Sequence, residues 1–198
     1  MKNILVEMMS NFIDLTNDEK NGIIEAFPIK TFKKGDDLIK EGQIVKDAFL
    51  VIKGCLREYY LDKGDEKTTE FYTEFQSAVN FDSLSNNKPS KYYFTCVENS
   101  TIAIINSEKE NELYKKFPRF GEVCRVEMEK MIGQSQVKYS KFKNSTPKER
   151  YLNLLKERPN LIQRVPQYQL ASYLGIKPET LSRIRKKVSL ANSNPNPL

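Results

Sequence analysis

The sequence contains no histidine. That absence excludes Ser-His-Asp and Cys-His catalysis, HExxH zinc sites and a histidine axial ligand to haem. It also removes the usual His-based metal site of β-barrel oxygenases. An enzyme made from this chain would have to work with carboxylates, lysine or tyrosine alone, so the sequence is read as that of a non-enzyme. Cysteine is scarce: Cys55, Cys96 and Cys124 are widely spaced, odd in number and form no CxxC pair. Zinc knuckles and local metal clusters are excluded, and three buried reduced thiols are expected. No metal or cofactor follows. Long apolar runs are also lacking. The longest strongly apolar one, residues 48–52, is far too short to cross a bilayer. The N-terminus has no apolar core of signal-peptide length and carries Glu7 and Asp14, so a cytoplasmic location is expected.

What is present is an ordinary globular composition, 39% apolar and 29% charged over 198 residues. That length suits one sizeable domain, or a larger and a smaller one. The net charge of +6 is unevenly distributed. Residues 1–140 hold 20 basic and 23 acidic side chains, a net of −3, whereas residues 141–198 hold 12 and 3, a net of +9. A basic third on an acidic body is the footprint of a nucleic-acid-binding module on a scaffold. A solubilising face would give the same asymmetry, so charge alone does not decide.

Residues 10–27 read as a helix, with Thr16 as a cap, Asp18 and Glu19 in its first turn, and Ile23, Ile24 and Phe27 as its apolar face before Pro28. From 29 to 106, short apolar or β-branched runs alternate with Gly, Asp and Asn turns. The runs are 29–32, 37–40, 48–52, 55–61, 68–75, 91–97 and 101–106, with turns at Gly35, Gly42, Gly54 and Gly64. Seven such runs predict a jelly-roll-like barrel. From Glu108 helical spacing takes over. Phe117, Phe120, Cys124, Met128, Met131, Ser135, Tyr139 and Phe142 recur three or four apart, on one stripe of a long helix. Such a seam pairs with its twin in a dimer, or covers its own barrel. Thr146-Pro147 then restarts a helix. The chain divides into an effector-type β-roll (1–116), a long helix (117–143) and a C-terminal module (144–198). The tail 191–198 is rich in Asn and Pro and is expected to fray.

The C-terminal module carries the chemistry. Pro166 opens a short helix with Leu170, Ala171 and Leu174 inward. Gly175 ends it, Ile176 plugs the turn, and Pro178 opens a second helix with Leu181, Ile184 and Val188 inward. Counted from Gln167, Ala171 is position five, where two helices cross, and Gly175 is position nine, in the turn. These offsets are those of a helix-turn-helix. Glu179, Thr180, Ser182, Arg183 and Lys186 are left outward or sideways. In a major groove Arg can bond guanine O6 and N7 together, a carboxylate can accept from cytosine N4, and Ser can do either. Glu179 and Arg183 are also spaced for an i,i+4 ion pair. Lys177, Arg185, Lys186 and Lys187 suit phosphate contacts, which position without specifying.

The succession of N-terminal helix, β-roll, long helix and helix-turn-helix resembles the Crp/Fnr family of bacterial transcription regulators. Phe32, Gly35, Gly42, Ile52 and Gly54 look like its turn pattern, and Pro178-Glu179-Thr180-Leu181-Ser182-Arg183 like its recognition helix. The Glu-x-x-Ser-Arg form is similar to the Fnr-like branch, which reads TTGAT-type half-sites. The resemblance implies an α+β protein, a homodimer joined by Phe120, Cys124, Met128, Met131 and Ser135, on a palindromic operator in double-stranded DNA. It implies base readout by Glu179, Ser182 and Arg183, with Gln167, Lys177, Thr180, Arg185, Lys186 and Lys187 on the backbone. RNA polymerase and a small-molecule effector are the further partners it implies. The effector pocket would lie at Arg57, Phe81, Asp82, Ser83, Lys91 and Tyr92.

The chain departs from the family where cyclic nucleotides bind. Phe81-Asp82-Ser83 lacks the Gly and replaces Glu by Asp, and no Arg occurs between Arg57 and Arg119. Without a guanidinium clamp a cyclic phosphate is poorly held, so cyclic AMP is not the expected effector. An iron–sulfur sensor lacks its cysteines and a haem sensor its histidine. The family's wing-like hairpin has no counterpart in the ten residues after Val188. A degenerate sensor or adaptor without specific DNA binding would share this architecture, and sequence discrimination separates the two.

Overall fold

The computed structural model describes residues 3–193. Asn3 caps α1 (Ile4–Ser10) by accepting from the Leu5 and Val6 amides. The helix expected over 10–27 therefore begins only at Asn17, and α1 before it was not foreseen. Thr16 caps α2 (Asn17–Ala26) in a reciprocal box with Glu19, and its extended backbone, ψ 164°, breaks the chain before it. Ile23 and Phe27 are buried as expected, whereas Ile24 faces solvent.

The roll follows as β1 (Ile29–Phe32), β2 (Asp37–Ile39), β3 (Asp47–Lys53), β4 (Leu56–Asp62), β5 (Asp65–Tyr72), β6 (Ser77–Ala78), α3 (Phe81–Asn86), β7 (Tyr93–Cys96) and β8 (Ser100–Asn106). Its strands form two four-stranded antiparallel sheets, ordered β1-β8-β3-β6 and β2-β7-β4-β5. Ile39, Phe49, Val51, Leu56, Phe94 and Ile102 fill the space between them. All seven expected runs contain a strand. Gly54 shows why one turn needs glycine: its φ is +110°, and a Cβ would lie 2.2 Å from Ser100 Oγ. The run over 68–75 stops early because Phe75 takes φ +64° and donates its amide to Val51 O at 2.8 Å. β6 and α3 were not foreseen. Two residues carry no pattern, and α3 rests on the Asn80 cap rather than on an apolar stripe.

Five helices and a short turn of helix complete the chain: α4 (Ser107–Lys116), α5 (Arg119–Asn144), α6 (Pro147–Glu157), α7 (Pro159–Arg164), α8 (Gln167–Tyr173) and α9 (Pro178–Ser193). Leu5, Ile23, Phe27, Leu113 and Phe120 bind α1, α2, α4 and the start of α5 to Leu50 and Ala103 of the roll. Arg119 clamps Glu19 there and holds its carboxyl at about 2. The helix α9 runs through Ser193, so the tail expected to fray from 191 is helical that far; residues 194–198 lie outside the described residues. Among the described residues no helix is long and apolar enough to cross a membrane.

Packing after α5 differs from a module on a tether. Tyr151, Leu154, Leu161, Val165, Leu170, Ala171, Leu174 and Leu181 share one buried cluster with Cys55, Phe71 and Val97 of the roll. Cys55 is a buried free cysteine, and its burial pushes the thiol up to about 12, against thiolate formation.

Candidate nucleic-acid interface

Helices α8 and α9 meet as the apolar spacing requires. Leu170, Ala171 and Leu181 are fully buried, Leu174 nearly so, and Ile176, Ile184 and Val188 pack on their edge. The turn closes with Gly175 N–H on Ser172 O and Ile176 N–H on Ala171 O, each at 3.0 Å. Gly175 has φ +67°, and a Cβ there would come within 3.1 Å of Arg150 Nη1 and 3.4 Å of Phe142 Cζ. Arg150 donates to Ser145 O and Leu174 O and lies 4.1 Å from the Phe142 ring centre. That side chain ties the turn to the end of α5.

With Leu181 buried, Glu179, Ser182, Arg183 and Lys186 form one exposed face of α9, at positions i, i+3, i+4 and i+7. Lys177, Lys187 and Gln167 are also exposed, while Thr180 and Arg185 are half-buried on the flanks. Glu179 and Arg183 form no ion pair among the described residues, so both groups remain free for other partners. Exposed Tyr168, beside Gln167 at the start of α8, adds an aromatic donor that the sequence reading missed.

The free charge is smaller than the count over 141–198. Arg158 is spent on Glu70 and on Phe71 O. Arg164 is spent on Glu74, Glu98 and Gly54 O. These arginines fasten α7 to the roll beneath the α8–α9 unit. Arg164 and the Gly54 amide hold the Glu74 carboxyl at about 2, below its ordinary 4.5. A depressed folded value stabilises above the unfolded value and is lost as pH falls through the folded one. Stability should therefore hold down to about pH 5 and fall from about pH 4.5 to about pH 2. Glu19 titrates in the same window. Thermal melts of Glu74→Gln should show a shallower acid decline than wild type, and an unchanged decline would remove the Glu74 contribution.

The six residues placed in an effector pocket do not come together. Side chains on β4 alternate, and Leu56 enters the roll interior while Arg57 points to the outer face. There Arg57 is buried against Glu66 Oε2 at 2.5 Å and Thr68 Oγ1 at 2.8 Å, with its guanidinium 4.3 Å from the Tyr59 ring centre. Ser83 is a structural clasp, accepting from Val45 N–H and donating to Lys88 O. Phe81, Asp82 and Lys91 are exposed, and only Tyr92 packs onto the interior. Tyr60, edge-on to Tyr92, is exposed, and the interior presents Tyr72 and Glu58, whose carboxyl accepts from Tyr72 OH at 2.6 Å and is pushed up by burial. Such a surface does not favour an anion.

The α5 stripe also divides. Phe120 is fully buried in its own protomer, and Cys124 is half-buried against Tyr114. Met131 is half-buried at the same helical phase as Phe120 and Cys124, the side from which Lys138 reaches Glu70 of β5. Phe120 is therefore taken up by the core of its own chain, while Cys124 and Met131 keep part of their surface open. Met128, Ile132, Ser135 and Tyr139 are exposed on an adjacent strip. Ile132 was missed because its neighbour Met131 satisfied the same spacing.

Residues 29–117 match the family model described as the cyclic nucleotide-binding domain. Solved structures extend the likeness over nearly the whole chain. FixK2 from Bradyrhizobium japonicum is 13% identical and covers 84% of this chain and 86% of that one, with a TM-score of 0.70. The c-di-GMP responsive global regulator CLP of Xanthomonas campestris is 16% identical over 89% and 93%, with a TM-score of 0.68. Catabolite activator protein of Thermus thermophilus is 17% identical over 94% and 90%, with a TM-score of 0.52. No curated protein matches the sequence. The roll is thus a cyclic nucleotide-binding domain by fold. The chain as a whole shares its fold with these solved structures, and that is the architecture its sequence resemblance implied.

Proposed function

We propose that the protein is a homodimeric, sequence-specific DNA-binding transcription regulator of the Crp/Fnr type. One observation carries this reading. A fully formed helix-turn-helix core presents Glu179, Ser182, Arg183 and Lys186 on one exposed face, with no ion pair of their own among the described residues. A buried core specifies which face is free, and the free residues are base-edge readers. Arg183 and Glu179 read bases, with Ser182 beside them. Lys177, Lys186, Lys187, Gln167, Thr180 and Arg185 contact the phosphate backbone. The exposed strip Met128, Ile132, Ser135 and Tyr139 of α5 joins two copies, so two α9 helices address a palindrome about one DNA turn apart. The effector is not a cyclic nucleotide, because the roll interior offers Glu58 and tyrosines where a phosphate needs a cation. RNA polymerase is the partner through which such a regulator acts.

The backbone roles make a separate expectation. Operator affinity should fall linearly with salt on logarithmic axes, and Lys187→Ala, which removes one phosphate contact from each of two copies, should reduce that slope by about 2 without changing base preference. Fluorescence anisotropy across a salt series checks it. An unaltered slope removes Lys187 from the contact surface.

A further inference from the structure

β5 is the outer strand of its sheet, so one row of its backbone groups has no strand partner. The C-terminal helices take up that row. Ser172 Oγ accepts from Thr68 N–H at 2.9 Å and donates to Glu66 O at 3.1 Å, and Arg158 Nη2 donates to Phe71 O at 2.7 Å. At the centre stands the Glu70 carboxylate. Its Oε1 accepts from Arg158 Nη1 at 3.0 Å, from Tyr173 OH at 3.3 Å and from Phe71 N–H at 2.9 Å. Its Oε2 accepts from Lys138 Nζ. One largely buried side chain thus joins the roll edge, the long helix α5, the α6–α7 junction and the first helix of the reading unit.

We propose that Glu70 is the positioning residue that fixes the α8–α9 unit relative to α5, and thereby the distance between the two reading helices of the dimer. The consequence for DNA rests on the function proposed above; the clamp itself does not. Three cationic or hydroxyl donors from three elements converge on one carboxylate. Removing it frees the unit to pivot about Arg150 while leaving α9's exposed face unaltered. Tyr72, two residues along the same strand, donates its hydroxyl to Glu58 and packs against the roll interior. A ligand that displaces Tyr72 would therefore pull on the same strand that holds the reading unit.

The test uses the full chain with Glu70→Ala and Glu70→Gln. Amide hydrogen exchange reads the clamp directly. In Glu70→Ala, peptides covering 66–72 and 167–174 should exchange about tenfold faster, while those covering 48–52 and 101–106 keep wild-type protection. Glu70→Gln, which retains the acceptor without the charge, should lie between. Binding to palindromes whose half-site separation is varied by one or two base pairs reads the consequence. Wild type should prefer one spacing sharply, and Glu70→Ala should lose that preference with unchanged affinity for a single half-site. Wild-type exchange in both variants overturns the clamp. Faster exchange with spacing preference intact overturns its role in spacing. If neither protein binds DNA, the DNA-reading function fails while the exchange result still decides the clamp. Where Glu70→Ala loses protection throughout the roll, Glu70→Gln and Lys138→Met decide by the same readouts.

Discussion

Truncating Phe71 to alanine should destabilise the whole protein by about 3–5 kcal/mol. The ring is fully buried, edge-on to Tyr173 at 5.4 Å, inside the cluster that also holds Leu170, Ala171 and Leu181. It stands on a strand of the roll but packs in the core of the C-terminal helices. Its loss opens a cavity on both sides and removes the apolar part of their mutual contact. Urea denaturation followed by circular dichroism should show one transition in wild type. In Phe71→Ala the midpoint should fall and the helical signal should separate from the strand signal. An unchanged single transition would mean that the two parts do not share a core.

Arg183→Ala should abolish sequence preference while leaving salt-sensitive, non-specific binding in place. A bidentate arginine–guanine contact discriminates by about 1–3 kcal/mol, and two copies on a palindrome lose it twice. Arg183 is exposed on α9 without an ion-pair partner among the described residues, so its removal leaves the core of Leu170, Ala171 and Leu181 untouched. Competition between operator and random DNA measures the effect. Discrimination equal to wild type would place base readout elsewhere, and equal loss on both DNAs would make Arg183 a phosphate contact.

Local signals were the legible ones. The turn glycines, the Thr16 and Thr146 caps and the helix-turn-helix core each depend on residues a few positions apart, and the structure has them as read. Misreadings arose where the partner is distant in sequence. Arg158 and Arg164 counted as DNA-facing charge because Glu70, Glu74 and Glu98 lie 66 to 90 residues away. Arg57 was placed in a ligand pocket although strand alternation turns it to the outer face, where Glu66 meets it. The α5 stripe was taken as one surface, whereas Phe120 is buried against the protomer's own roll, Cys124 and Met131 are half-buried, and the strip at Met128, Ser135 and Tyr139 is exposed. Helical spacing identifies a face; what covers it is decided by the sheet it lands on.

The central claim is that α9 reads DNA sequence in a two-fold dimer. Selection of bound duplexes from a random pool by the purified full chain tests it most directly. The account predicts an enriched palindrome with two half-sites about one helical turn apart, lost when Arg183→Ala replaces wild type. A pool that stays random after repeated selection, or the same palindrome selected by Arg183→Ala, would contradict it.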